Sequence, residues 1–319
     1  MHRIWFVKKN PAWLGGIEFI AAASLAIAVI FHPGLIIAQS LEPRAYSNTP
    51  VGMNFLILGY AYQQGDVPFD PSVPLKDVHA EIHSSILAYV RSLDVWGRSG
   101  KVDIIIPYAW LSGSGKVGGD ERSRWVSGFG DPAVRFSVNL YGSPALSFEE
   151  FKSYRQDTIL GVSLQVTMPL GQYDSTKLVN IGTNRWSFKP EIGISKALGA
   201  WTLETAAGVT LYTKNEDFYG GNTREQDPIY SLQGHLIYHF PRGIWAALDA
   251  TYYTGGRTTI NGVEGDDLQR NWRVGATLAL PVTIHHSIKL YASTGVYTRA
   301  GGDFNLIGIA WQYRWGGGL

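Results

Sequence analysis

Hydrophobic and polar residues alternate with a period of two in many short runs beyond residue 50. The last run is the clearest, because Ile307, Ile309 and Trp311 share one face while Gly308 and Ala310 share the other. The bulky residues are therefore predicted to face outward, the reverse of a soluble β-sandwich, which packs its bulky face inside. Runs of roughly ten alternating residues are typical of transmembrane β-strands, whose side chains face lipid and lumen in turn.

Twelve such segments are present, near residues 52–63, 78–96, 101–111, 126–141, 158–168, 185–197, 201–214, 228–240, 244–254, 268–281, 286–299 and 304–315. An even number suits a closed barrel with both chain ends on the periplasmic side. The sequence therefore predicts an all-β chain that forms a single transmembrane antiparallel β-barrel of about 12 strands, over residues 52–315.

The connections between these segments support the barrel. Short turns largely alternate with long polar stretches, which are predicted over 64–77, 112–125, 170–184, 215–227 and 255–267. Such alternation is typical of barrels with short periplasmic turns and long outer loops. Two connections break the rule: Arg299–Asp303 is short where an outer loop is due, and Ser143–Asp157 is long where a turn is due. In the second, the Ser147-x-x-Glu150 pattern is a capping box that predicts a short periplasmic helix.

The first forty residues carry a different pattern. Arg3, Lys8 and Lys9 precede an apolar stretch, and small residues then stand before a cleavage point after Ser40. This order predicts a signal peptide over 1–40, with a retained membrane anchor as the alternative. Removal of the peptide leaves a periplasmic N-terminal segment (41–51), the barrel and a C-terminal tail (316–319).

Composition excludes several function classes. The 319 residues include 37 Gly, 17 Tyr and 11 Trp but no Cys, so disulfides and thiolate metal sites are ruled out. The formal net charge of +1 gives no sign of a nucleic-acid partner. Tryptophans such as Trp110, Trp125 and Trp201 stand near segment ends, which favours interfacial girdles over the aromatic core of a soluble protein.

Several stretches match a known family. They are Gly128-Phe129-Gly130-Asp131-Pro132, Pro169-Leu170-Gly171-Gln172-Tyr173, the long run from Asn180 to Gly193, Gly255-Gly256 and Trp311-Gln312-Tyr313-Arg314-Trp315. The chain resembles the outer-membrane transporters of the meta-cleavage pathway of phenol degradation. The resemblance covers roughly residues 45–315 and implies an outer-membrane barrel for uptake of aromatic or other hydrophobic compounds. It carries over no functional residue, and Gly316-Gly317-Gly318-Leu319 departs from the usual terminal aromatic residue.

The sequence offers little support for an enzyme active site or a metal site. Gly113-Ser114-Gly115-Lys116 lacks the remaining residues of a phosphate-binding loop, and no G-x-S-x-G elbow occurs. His79 and His83 alternate on one strand face but stand about 13 Å apart, too far to share one ion. We therefore predict no catalytic, cofactor-binding or metal-binding residue, and an outer-membrane hydrolase remains an alternative.

The polar faces of the segments hold the candidate functional residues. A charge that faces lipid at mid-depth costs about 2–4 kcal/mol for Arg or Lys, so these side chains are predicted to face the lumen. The lumen-lining candidates are Arg135, Lys189, Glu191, Glu204, Asp249, Arg273, Lys289, Arg299, Arg314, Tyr141, Tyr212, Tyr253, Tyr291 and Tyr297. They form either a structural lattice of paired charges or a polar path for a solute.

These patterns together predict a porin-like channel or transporter for small molecules in the cell outer membrane. Its expected partners are the lipid bilayer, the barrel assembly machinery and a small-molecule solute. The alternative is a non-conducting structural or adhesive barrel, in which paired charges and the 41–51 segment seal the lumen.

Overall fold

The computed structural model describes residues 42–66, 75–117, 120–177, 179–300 and 303–319. The predicted signal peptide lies outside these residues. The strands are β1 (Met53–Asp66), β2 (Leu75–Val95), β3 (Arg98–Val117), β4 (Asp120–Phe129), β5 (Ala133–Tyr141), β6 (Thr158–Thr167), β7 (Ser187–Leu198), β8 (Trp201–Tyr212), β9 (Asn215–Phe218), β10 (Asn222–Gln226), β11 (Ile229–His239), β12 (Trp245–Gly255), β13 (Thr258–Ile260), β14 (Val263–Glu264), β15 (Gln269–Pro281), β16 (His286–Thr298) and β17 (Asp303–Gly316).

Antiparallel pairing closes these strands into a barrel. β1 pairs with β2 on one side and with β17 on the other, so the first and last strands join the ring. β4 and β5 share one position in the ring, because β3 pairs with β4 in its upper part and with β5 in its lower part. The small strands β9, β10, β13 and β14 form a separate sheet. The predicted barrel of twelve strands is therefore confirmed.

The two ends of the barrel differ in their connections. At the end that we call lower, β1 begins, β17 ends, and short turns join the strands except between β5 and β6. The β2–β3 turn has only two residues, Trp96 and Gly97, both with positive φ (53° and 78°), as a type I′ hairpin requires. The upper end carries the longer connections. In barrels of this kind short turns face the periplasm, so the lower end is the periplasmic one.

The side chains of each strand separate into an apolar outer face and a polar inner face. On β11, Tyr230, Leu232 and Leu236 point outward and are 57%, 51% and 41% exposed in the protein alone. The alternate residues Gln233 and His235 point inward and are buried. Apolar groups outside and polar groups inside are the distribution that a surrounding bilayer stabilises. The predicted outward position of the bulky residues is confirmed.

One short helix, α1 (Phe148–Ser153), lies at the lower end. The Ser147 hydroxyl accepts a hydrogen bond from the Glu150 backbone N–H, and the Glu150 carboxylate accepts one from the Ser147 backbone N–H. The predicted capping-box helix is therefore confirmed. Within the described part of the chain, no helix is long and apolar enough to cross a membrane.

The upper end differs from the prediction at several connections, since the stretches 215–227 and 255–267 contain the small strands β9, β10, β13 and β14. Residues 112–125 were predicted to form a long loop, but β3 and β4 continue through most of this stretch as a paired hairpin, with Ser112 opposite Trp125 and Ser114 opposite Ser123. Glycine and serine suggested a loop because they lack the apolar face of a membrane strand. A hairpin that extends above the bilayer needs no such face.

The orientation of the strands predicts that substitution by arginine has different effects on stability at two exposed apolar sites. Leu164 lies on the outer face in the upper half of β6, and Val263 lies in the small outer sheet. Leu164→Arg should destabilise the membrane-inserted protein by about 2–4 kcal/mol, because the charge must enter lipid. Val263→Arg should have almost no effect. Urea titration of the protein folded in lipid vesicles measures both, and equal losses would contradict the assigned faces.

Candidate functional site

Eleven of the fourteen predicted lumen-lining residues lie on the inner face. This follows from the strand registers, in which these residues share a face with buried polar neighbours. They are Arg135, Lys189, Glu191, Glu204, Asp249, Arg273, Lys289, Arg314, Tyr212, Tyr253 and Tyr291. Arg314 lies at the lower rim, where its Nε donates to the Ile284 carbonyl at 2.7 Å.

The other three residues lie elsewhere. Irregular pairing shifts the alternation at Tyr141, which pairs with outward-facing Leu160, and at Tyr297, which pairs with outward-facing Trp272. Both tyrosines are therefore on the outer face. Arg299 follows the end of β16 and donates from Nη2 to Asp266 at 2.7 Å, at the upper rim. The prediction of a lumen position was wrong for these three residues.

The lower lumen is filled by the N-terminal segment, which we define as Glu42–Pro50. The Arg44 backbone N–H donates to Glu204 at 2.6 Å, and Lys101 Nζ donates to the Ala45 carbonyl at 2.6 Å. Nearer the lower end, Asn48 Nδ2 donates to the Pro144 carbonyl at 3.2 Å. These residues were predicted to lie in the periplasm. They run inside the barrel instead, since the lumen supplies their hydrogen-bond partners.

Charge pairing anchors the upper part of the N-terminal segment. The Arg135 guanidinium contacts Glu42 on one side and, at 2.6 Å from Nε, Asp103 on the other. Burial alone would raise the pKa of the Glu42 carboxyl, but Arg135, together with Lys289 and Lys189, lowers that pKa to about 2. The carboxylate is therefore ionised at neutral pH. An inward arginine and a residue of the N-terminal segment form one buried ion-pair group.

The Tyr46 ring packs against two facing glycines of the barrel wall, and we call this position its glycine seat. Gly161 of β6 and Gly193 of β7 stand opposite each other in the register. A Cβ atom at either glycine would come within 2.2 Å of the ring, so only glycine leaves room for it. The Tyr46 hydroxyl donates to Glu191 at 3.0 Å. The wall of the barrel is thus shaped to hold this aromatic side chain.

Little open space remains beside the N-terminal segment. A cavity of about 20 Å³ lies between Tyr46, Arg135, Lys189, Glu191 and Glu204. A water molecule needs roughly 10–15 Å³ on this measure, so the cavity holds about one. The lower lumen is therefore a constriction rather than an open pore.

A second group of inward polar residues lies next to this cavity. His235 Nδ1 and Asp249 Oδ1 are 2.7 Å apart, and Thr277 donates to the other Asp249 oxygen at 3.0 Å. Lys189 Nζ lies 2.9 Å from Glu191. Ion pairs and hydrogen bonds therefore neutralise several of the charged groups of the lower lumen.

An apolar contact narrows the lumen from the upper end. Val179 and Ile181, in the connection between β6 and β7, pack against Leu111 and Ala109 of β3 and Val126 of β4. The connection is held by Asp131, whose carboxylate accepts from the Gly171 N–H at 2.9 Å and from the Thr183 N–H at 2.8 Å. Asp131 stands in the break between β4 and β5.

These contacts explain the sequence motifs of the chain. A Cβ at Gly171 would come within 2.7 Å of Asp131, and one at Gly182 within 3.0 Å, so the glycines permit the close approach. The residues after Gly182 continue into β7, which carries Lys189, Glu191 and the Tyr46 seat. One continuous stretch of sequence therefore shapes both constrictions.

The sequence also matches a known protein family. Residues 63–311 match the family described as "Putative MetA-pathway of phenol degradation". The chain belongs to this family. No curated protein matches the chain.

Two solved structures have a similar fold. An outer membrane channel from Pseudomonas putida F1 has a TM-score of 0.73 at 20% identity, over 86% of this chain and 100% of that one. The transport unit of the autotransporter AIDA-I from Escherichia coli has a TM-score of 0.51 at 8% identity, over 91% and 98%. These likenesses show the fold. With the closed barrel and its apolar exterior, the fold places this family member in the outer membrane.

Sequence reasoning missed several site residues. Lys101, Asp103 and His235 lie in phase with the inward positions of their strands, so the alternation could have indicated them. Glu42 and Tyr46 carry no such signal, because the segment has no periodic pattern and its partners are more than ninety positions away.

The contacts of Asp131 predict a local effect of its removal. Asp131→Ala should free the 169–184 connection, because hydrogen bonds to a charged group contribute about 1.5–3 kcal/mol each. Trypsin cleavage after exposed Lys177 should therefore accelerate by at least about tenfold. Asp157→Ala, which removes an exposed carboxylate at the opposite end of the barrel, is the control. An unchanged cleavage rate in Asp131→Ala would contradict the assigned role.

Proposed function

We propose that the protein is an outer-membrane channel for small solutes, constricted from within by its N-terminal segment. The observation that carries this proposal is the filling of the lower lumen. The strands turn polar and charged side chains toward Glu42–Pro50, a separate piece of chain, rather than closing on a packed apolar core. A piece of chain held by hydrogen bonds and ion pairs can leave its position without unfolding the strands.

The proposed solutes are aromatic or other hydrophobic compounds. The family description, which concerns phenol degradation, supports this class. The polar constriction lies below, so a solute would meet the apolar contact first.

The non-conducting barrel is the second candidate, and one observation favours it. The cavity beside Tyr46 holds about one water molecule, so the lumen at this level is nearly sealed. In that case the ion pairs of Arg135 and Lys189 serve only to fill the barrel.

An outer-membrane hydrolase has weaker support. His235 and Asp249 form a hydrogen-bonded pair that a nucleophile could use. Among the described residues, however, no hydroxyl group is hydrogen-bonded to His235, and Thr277 donates to Asp249 instead. The solved structures of similar fold reported above are a channel and an autotransporter unit.

The proposal includes the route to the membrane. We infer that residues 1–40 act as a signal peptide and that the barrel assembly machinery inserts the mature chain. The residues after β17 then form a short tail at the lower end, where the Leu319 N–H donates to the Gly316 carbonyl at 3.1 Å.

Single-channel recording in planar bilayers tests the proposed function. Tyr46→Ala removes the ring from its glycine seat and the hydroxyl from Glu191, so the N-terminal segment should loosen and the conductance should rise severalfold. Tyr141→Ala removes a tyrosine from the outer face at the lower end and should leave the conductance unchanged.

The other outcomes discriminate between the candidates. If neither the wild type nor Tyr46→Ala conducts, the sealed barrel is the better account. If both conduct equally, the N-terminal segment is not the constriction.

A further inference from the structure

Two buried arginines at the upper end of the barrel lack acidic partners. Arg185 precedes β7 and is 5% exposed, while Arg224 lies in β10 and is 8% exposed. Neither forms an ion pair within the described part of the chain. A buried guanidinium normally has a carboxylate beside it, as Arg135 has in the lower lumen.

Each of the two guanidinium groups also has an unused donor. Arg185 donates from Nη2 to Gln226, but its Nη1 has no hydrogen-bond partner. Nη2 of Arg224 has none either. Buried donors without partners are uncommon in folded proteins, so these two donors are available to a ligand.

The nearby carboxylates are already occupied. Asp131 accepts from backbone and side-chain donors of the 169–184 connection. Asp267 accepts from the Thr258 N–H at 2.9 Å and from the Thr258 hydroxyl at 2.7 Å. Asp131 acts on Arg185, and Asp267 on Arg224, only at longer range. The positive charge is therefore left without a direct counter-charge.

The charge of Arg185 also acts on Arg224. Burial, and then the charge of Arg185, lower the pKa of Arg224 to about 9, so Arg224 remains charged at neutral pH. Two like charges held together in a buried place repel each other. An anion between them would relieve the repulsion and the burial cost together.

Aromatic rings surround the pair. The Arg185 guanidinium carbon lies 4.2 Å from the centre of the Tyr212 ring, and that of Arg224 lies 5.4 Å from the centre of the Phe218 ring. Tyr173 is close enough to affect the electrostatics of both arginines, and its hydroxyl is held by Asn215 at 2.9 Å. The surroundings therefore suit an anion with an apolar body rather than a strongly hydrated ion.

We propose that Arg185 and Arg224 form a binding site for the carboxylate group of small organic acids at the upper mouth of the barrel. Planar guanidinium groups match the two oxygens of a carboxylate, and the surrounding rings can contact the apolar remainder. The site specifies small organic acids as the solutes of the proposed channel, and this assignment rests on the proposed function.

Deeper in the barrel, Arg273 repeats part of this environment. It is 2% exposed, lies 3.8 Å from the Phe304 ring centre, and has no partner at Nη1. Arginines without paired carboxylates thus continue from the upper mouth into the upper lumen. In the lower lumen, in contrast, Arg135 and Lys189 are paired with carboxylates.

Calorimetric titration of the folded mature protein with benzoate tests the site. The wild type should bind benzoate, whereas benzyl alcohol, with the same ring but no charge, should not bind at the site. Phosphate should bind more weakly than benzoate. Arg185→Gln and Arg224→Gln should each weaken benzoate binding by at least about tenfold, because each loses charge-assisted hydrogen bonds.

Two further variants serve as controls for this titration. Arg257→Gln removes an arginine that is ion-paired with Glu264 in the same outer region and should not change benzoate binding. Arg185→Lys keeps the positive charge but loses the planar guanidinium group, so benzoate binding should weaken. Faster migration of the unheated than of the boiled variant on gels shows that its barrel is folded. Unchanged binding in both Gln variants, equal binding of phosphate, or no benzoate binding by the wild type would overturn the proposal.

Conductance separates this proposal from the channel itself. A wild-type protein that conducts but does not bind benzoate would remove the carboxylate site and leave the channel. A protein that binds benzoate but never conducts, even as Tyr46→Ala, would keep the site and remove the channel.

Discussion

Closure of the strand ring is the constraint on which the rest of the structure depends. Backbone polar groups cannot remain unpaired in lipid, so the first strand must also pair with the last. Once the ring is closed, alternate side chains face two different environments. Charged side chains are restricted to the inside, where each needs a partner. Arg135 forms ion pairs with Glu42 and Asp103, and Lys189 forms one with Glu191.

The interior charges also explain why a non-strand segment lies in the barrel. A ring of twelve strands is wider than side chains alone fill. Glu42–Pro50 occupies the lower part, supplies Glu42 to an inward arginine, and places Tyr46 on paired glycines. The upper part is closed by an apolar contact and carries arginines without counter-charges. The path through the barrel is therefore asymmetric, because Arg135 and Lys189 are ion-paired below while the arginines above are not.

The sequence predicted what depends on local periodicity and little of what depends on distant contacts. Alternation predicted the strands, their number and most inward residues, and the Ser147–Glu150 capping box predicted the short helix. Tyr141 and Tyr297 were misplaced because irregular pairing reverses the faces, which a period of two cannot show. The position of Tyr46 could not be predicted, because its seat is built from β6 and β7, more than a hundred residues away.

The central claim is that the N-terminal segment lies inside the barrel in the membrane, and a designed disulfide tests it most directly. The chain has no cysteine. A Cβ at Gly161 would lie 2.2 Å from Cδ1 of Tyr46, which brings the two positions within reach of a disulfide. Tyr46→Cys combined with Gly161→Cys should form an intramolecular disulfide in isolated outer membranes under mild oxidation, and Tyr46→Cys combined with Gly234→Cys should not. Failure of the first pair to cross-link in a folded barrel would contradict the account.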